Sequence, residues 1–103
     1  MKFIHCLKCD DVVKLVVCVR RTCECGESYG QYESDKTHAT YGGPCVPIGF
    51  GNTSFVRALL RQPTGRDITQ TFDAFVISKA CETMQRLDDE IDVRALVLDR
   101  FEE

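Results

Sequence analysis

The chain has 103 residues, 44% of them apolar and 28% charged, with a formal net charge of −3; these values describe one globular domain and exclude collagen-like, disordered and membrane-spanning classes. The longest apolar stretch, residues 12–19, is broken by Lys14 and is far shorter than the roughly 20 residues a membrane span requires. Seven cysteines leave one thiol over in any fully disulfide-bonded scheme, and the first residues do not read as a secretory signal, so the expected setting is the reducing cytoplasm.

The first motif is Cys6-Leu-Lys-Cys9, followed after thirteen residues by Cys23-Glu-Cys25-Gly26. Closely spaced thiolates in tight turns can all point at one ion about 2.3 Å away, while neighbouring amides donate to the sulfurs. Such a turn needs a residue that tolerates left-handed geometry, which Gly26 supplies in the second pair and Asp10 in the first. The C-x-C arm is less usual than C-x2-C and strains a tetrahedral site slightly. Residues 11–22 are rich in β-branched side chains and predict two short strands reversing near Lys14 and Leu15, which returns Cys23 and Cys25 to Cys6 and Cys9. This is zinc-ribbon architecture, and the expected cofactor is structural Zn2+ on Cys6, Cys9, Cys23 and Cys25. A set of three cysteines with His5 or His38, and iron in place of zinc, are the alternatives left open at this point. Of the remaining thiols, Cys18 reads as part of an apolar strand, Cys45 as part of a Pro-flanked turn and Cys81 as a strand end. Cys45 with His38 is the only nucleophile and base pair close in sequence.

Further along, residues 27–35 and 37–41 predict two strands joined by the polar turn Ser34-Asp35-Lys36. Residues 42–51 hold four glycines and two prolines and read as a loop that presents Phe50. Asn52 reads as the cap of a helix over 53–62 with Phe55, Val56, Leu59 and Leu60 as its apolar face and Arg57 and Arg61 as a basic stripe. Gly49, Phe50, Asn52 and Arg57 together could hold a phosphate on backbone amides, or a partner on the Phe50 ring, although the Walker and dinucleotide patterns are both absent. Residues 68–78 predict a central, two-sided strand. Residues 87–101 predict a helix with Leu87, Ile91, Ala95 and Leu98 as a stripe, Asp88 to Glu90 in its first turn and Arg100 near its end, with a strand over Val93 to Leu98 as the alternative.

The expected fold class is therefore α+β: a small β-rich domain with an N-terminal zinc ribbon, one central helix and a C-terminal helix. Residues 1–33 form the zinc-ribbon part, 34–83 the β-rich part and 84–103 an acidic segment of one compact domain. Residues 1–66 carry nine basic against six acidic side chains, and residues 67–103 four against ten. That balance disfavours non-specific nucleic-acid binding but leaves a local site at Arg20, Arg21, Arg57, Arg61 and Arg66 open.

The opening Met-Lys-Phe-Ile-His-Cys-Leu-Lys-Cys-Asp-Asp, the Cys-Glu-Cys-Gly arm, the Gly-Gly-Pro and Gly-Phe-Gly-Asn segments and Thr-Phe-Asp-Ala-Phe-Val-Ile resemble a group of short bacterial and bacteriophage proteins with an N-terminal zinc ribbon. The resemblance covers roughly residues 1–83 and implies metal binding at Cys6, Cys9, Cys23 and Cys25. No catalytic constellation is legible. The expected function is non-enzymatic: a regulator or inhibitor that binds a partner protein, with nucleotide or nucleic-acid binding through the 49–57 loop and Arg20/Arg21 as the alternative. The C-terminal helix could pack on its own core or on a second copy.

Overall fold

The computed structural model describes residues 1–101 and contains eight strands in two four-stranded sheets with two helices. The first sheet is built from β1 (Lys2–Cys6), β2 (Val12–Lys14), β6 (Cys45–Phe50) and β7 (Ala74–Val76), in the order β2-β1-β6-β7 and antiparallel throughout. The second holds β3 (Arg21–Thr22), β4 (Tyr29–Tyr32), β5 (Ala39–Gly42) and β8 (Met84–Arg86), in the order β3-β4-β5-β8, with only the β5–β8 pair parallel. Helix α1 spans Asn52–Leu60 and α2 spans Val93–Phe101. The α+β, β-rich class expected from the sequence is the one observed.

The period-2 geometry of a strand sends alternate side chains to opposite faces. In β1 and β6 this directs Ile4, Cys6, Cys45 and Pro47 inward, and the register places Ile4 opposite Pro47 and Cys6 opposite Cys45. Val13 and Leu15 join them from the first sheet, and Cys23, Ala39, Tyr41 and Met84 from the second, so the core lies between the sheets. Each large side chain buried there contributes about 1.5–3 kcal/mol. On the other face of β1 and β6, Phe50 meets Phe3, Phe55 of α1 and Phe72, and Phe55 meets Phe72, with ring centroids 4.5 to 5.4 Å apart.

Several expectations are corrected here. Residues 45–50 form a strand, not a loop. The missing N–H of Pro47 falls where β7 has already ended, while its carbonyl still accepts from Ile77 N–H at 2.9 Å. Phe50 is consequently packed in the aromatic cluster rather than held out. The 68–78 segment contributes only the three residues of β7, and it is an edge strand with both faces exposed. The hairpin over 11–22 turns at Val17 and Cys18, where Cys18 has φ 57° and is exposed, instead of at Lys14 and Leu15. Residues 84–86 are a strand, so α2 begins later than expected, with Asp92 Oδ1 accepting from Ala95 N–H at 3.1 Å. Arg100 falls within α2 as expected, and nothing is described of its side chain. Helix α1 turns Phe55 and Ala58 inward and leaves Val56, Leu59 and Leu60 half or more exposed.

Candidate metal centre

The two turns that carry cysteines close the β1–β2 and β3–β4 hairpins. In the first, Asp10 N–H donates to Cys6 O and Cys6 N–H to Asp11 O, both at 2.9 Å, and Asp10 takes φ 62°. In the second, Gly26 N–H donates to Cys23 O at 3.0 Å and Cys23 N–H to Ser28 O at 2.9 Å, with Gly26 at φ 81°. The left-handed positions expected at Asp10 and Gly26 are thus the ones used. The tips are tied to each other twice: Glu24 N–H donates to Asp11 Oδ2 at 2.9 Å, and Lys8 Nζ pairs with Glu27 Oε2 at 2.8 Å.

These turns bring the sulfurs of Cys6, Cys9, Cys23 and Cys25 within 4.8 Å of one another. Cys6 and Cys25 lie 3.7 Å apart, Cys23 and Cys25 3.4 Å. Four sulfurs each about 2.3 Å from a tetrahedral ion stand roughly 3.8 Å from one another, so the cluster could hold a metal ion with small adjustments. All seven cysteines are free thiols. Cys6 and Cys23 are buried, while Cys9 is half-buried and Cys25 exposed, so the centre is backed by the core and open on one side.

Four thiolates around a dication carry a net charge of −2, which requires donors around the sulfurs. Ser28 N–H reaches Cys23 Sγ at 3.3 Å; the amides of Lys8 and Cys9 serve Cys6, and that of Glu27 serves Cys25. Without metal the thiols share protons. Burial pushes Cys23 up, but the Ser28 amide and the neighbouring thiols outweigh it and bring it down to about 6. The Glu27 amide favours the Cys25 thiolate, but its hydrogen bonds to Cys23, Cys6 and Cys9, with desolvation, push it up to about 12.

The other candidate ligands are placed elsewhere. His5 Nε2 lies 3.2 Å from Asp10 Oδ1, and His38 is held by the Asp35 carboxylate. Neither joins the cluster found among the described residues. Cys45 is buried and its thiol donates to Gly42 O at 3.3 Å, with burial pushing it up to about 11; it makes no pair with His38. Cys81 sits in a turn against Thr83 Oγ1.

Gly49, Phe50 and Asn52 do not form the loop and helix cap expected of them. Gly49 is a strand residue beneath the Phe75 ring, whose atoms would stand 2.7 Å from a Cβ there. Asn52 does not cap α1: the N-cap is Gly51, and Asn52 Oδ1 accepts from the Met1 ammonium at 2.8 Å. At that helix end Gly51 N–H donates to Asp73 O and Asp73 N–H to Ser54 Oγ, at 2.8 and 2.9 Å, so the Gly51 amide and the Ser54 hydroxyl are engaged by the Asp73 backbone. Arg57 and Arg61 are exposed, as the stripe reading requires.

Two residues that the sequence did not single out matter here. Arg86, with a side chain 12% exposed, donates to Gly43 O at 2.8 Å, to Cys45 O at 2.6 Å and to Asp88 Oδ1 at 2.8 Å, and lies over the Tyr41 ring. It ties β8 to the start of β6 behind the centre. Ser28 is fully buried beside the thiols, and no spacing rule marks it. No family model, curated protein or solved structure matches the chain. No helix among the described residues is long and apolar enough to cross a membrane.

Proposed function

We propose that this protein is a zinc-ribbon module of the bacterial or phage cytoplasm that acts by binding a partner protein and has no catalytic role of its own. The observation that carries this reading is the convergence of Cys6, Cys9, Cys23 and Cys25 at the tips of two hairpins. A tetrahedral ion on four thiolates has no open position for water or substrate, so the metal acts as a clamp rather than a Lewis acid. Zinc suits such a set, and binding contributes folding free energy to hairpins whose strands are only two to five residues long.

The partner surface is the outer side of α1. Val56, Leu59 and Leu60 are exposed there, and Arg57 and Arg61 flank them without an acidic residue in the helix. An apolar patch with basic neighbours fits a partner with an apolar centre and an acidic rim. Photo-cross-linking from position 60, with position 36 as a control on a distant turn, tests this in cells of the source. One partner captured from position 60 alone, and lost in Arg57→Glu/Arg61→Glu, is the expected result. Equal capture from both positions, or capture of nucleic acid or of a second copy instead, would overturn it.

A further inference from the structure

Ser28 stands out on hydrogen-bond accounting. It is 0% exposed, and its Oγ is the one buried side-chain polar atom among the described residues that lacks a hydrogen-bond partner. Its backbone is fully engaged: the N–H donates to Cys23 Sγ at 3.3 Å and the carbonyl accepts from Cys23 N–H at 2.9 Å. A buried hydroxyl without a partner is costly, so a native structure that keeps one usually has an acceptor for it in the functional state.

The sulfurs of Cys6 and Cys45 lie near enough to that hydroxyl for it to favour their thiolates. The Cys45 thiol has committed its proton to Gly42 O, which leaves a neutral sulfur and a weak acceptor. Cys6 is one of the four clustered ligands, and coordination would make its sulfur a thiolate, a far stronger acceptor. The position is also held firmly. Gly43, at φ 91°, packs so closely that a Cβ on it would stand 2.7 Å from Ser28 Cα. The hydroxyl can rotate, but its carbon frame has nowhere to go.

We propose that Ser28 is a positioning residue of the metal centre, donating an O–H···S hydrogen bond to the Cys6 thiolate when the ion is bound. This rests on the metal reading above. The bond lowers the charge that the sulfur pushes onto the ion and fixes the Cys6 rotamer from the core side, where no water can substitute. The amides of Lys8 and Cys9 serve the same sulfur from its own turn, so Ser28 supplies the one donor that arrives from the other hairpin.

The test uses Co2+ in the full-length protein, comparing the wild type with Ser28→Ala and Ser28→Thr. Removing a donor from a thiolate raises its lone-pair energy, so the sulfur-to-cobalt charge-transfer band should move to longer wavelength in Ser28→Ala. Affinity measured against a chromophoric chelator should fall about 10- to 100-fold. Ser28→Thr, which keeps the hydroxyl, should retain the wild-type band. An unchanged band and affinity in Ser28→Ala, with tetrahedral cobalt still bound, would overturn the role of Ser28 and leave the metal centre standing. Absence of a thiolate-to-cobalt band in the wild type would instead remove the centre itself, and this proposal with it. Should Ser28→Ala not fold, 113Cd-loaded wild type decides: a Ser28 hydroxyl proton coupled to cadmium through Cys6 Sγ is expected, and a freely exchanging hydroxyl proton refutes the bond.

Discussion

Replacing Arg86 by Met keeps most of the aliphatic stem and removes the guanidinium, which isolates what that group contributes. Two carbonyls, Gly43 O and Cys45 O, lose charged donors at 2.8 and 2.6 Å, in a place where the arginine side chain is only 12% exposed. Hydrogen bonds to a charged group contribute about 1.5–3 kcal/mol each, and a buried carbonyl left without a partner bears its full desolvation cost. The third bond, to Asp88, adds little, since that carboxylate is 42% exposed and screened by water. The expected loss is about 3–5 kcal/mol, a large share of the 5–15 kcal/mol typical of a domain. Urea unfolding at fixed free zinc, followed by tyrosine fluorescence, measures it, and Asp88→Asn should lose only about 1 kcal/mol by the same assay. A loss under about 1 kcal/mol for Arg86→Met would refute the reasoning, because it would mean that water satisfies those carbonyls.

Three further outcomes are expected. Gly43→Ala, at φ 91° and in overlap with the Glu27 carbonyl, should cost about 3 kcal/mol or more and weaken metal binding, whereas Gly26→Ala, at φ 81° with open space around it, should cost about 1 kcal/mol; equal effects in thermal melts would argue against the close packing of 43 on 27–28. Metal affinity should climb at least about tenfold per pH unit between pH 6 and 12, because Cys25 stays protonated up to about 12 and must release a proton on binding; below about 6, Cys23 adds a further proton and the slope steepens. Competition titrations across neutral pH would expose a flat profile if the thiols were not the ligands. Phe50→Ala should lower stability by about 2–3 kcal/mol through the aromatic cluster and leave partner capture from position 60 intact; unchanged stability would return Phe50 to the surface.

The cysteine-bearing turns were legible because their chemistry is local. Cysteine spacing, Asp10 and Gly26 in left-handed geometry, and the strands on either side of Ser34, Asp35 and Lys36 all follow from neighbours in sequence. The rest depends on partners far along the chain. Pro47 and Gly49 mark residues 45–50 as a loop by composition, yet Pro47 needs no donor where β7 has ended, and the Phe75 ring fills the space that Gly49 leaves. β8 is three residues long and pairs in parallel with β5, more than forty residues earlier. Arg86 is therefore invisible as a structural residue until that pairing is known. Asp88, read as a helix-start charge, instead accepts from Gly43 N–H at 2.8 Å. Ser28 is the hardest case, since its meaning lies in a buried hydroxyl set beside the Cys6 sulfur of the other hairpin, which no spacing in the sequence shows.

The central claim is that Cys6, Cys9, Cys23 and Cys25 together hold one structural zinc, and native mass spectrometry of protein purified without chelator tests it most directly. The account predicts the chain mass plus one zinc, lost in the Cys9→Ser/Cys25→Ser double variant, with the thiols at Cys18 and Cys81 alone open to alkylation in the native state. A bare chain mass, or a zinc that survives removal of both cysteines, would contradict it.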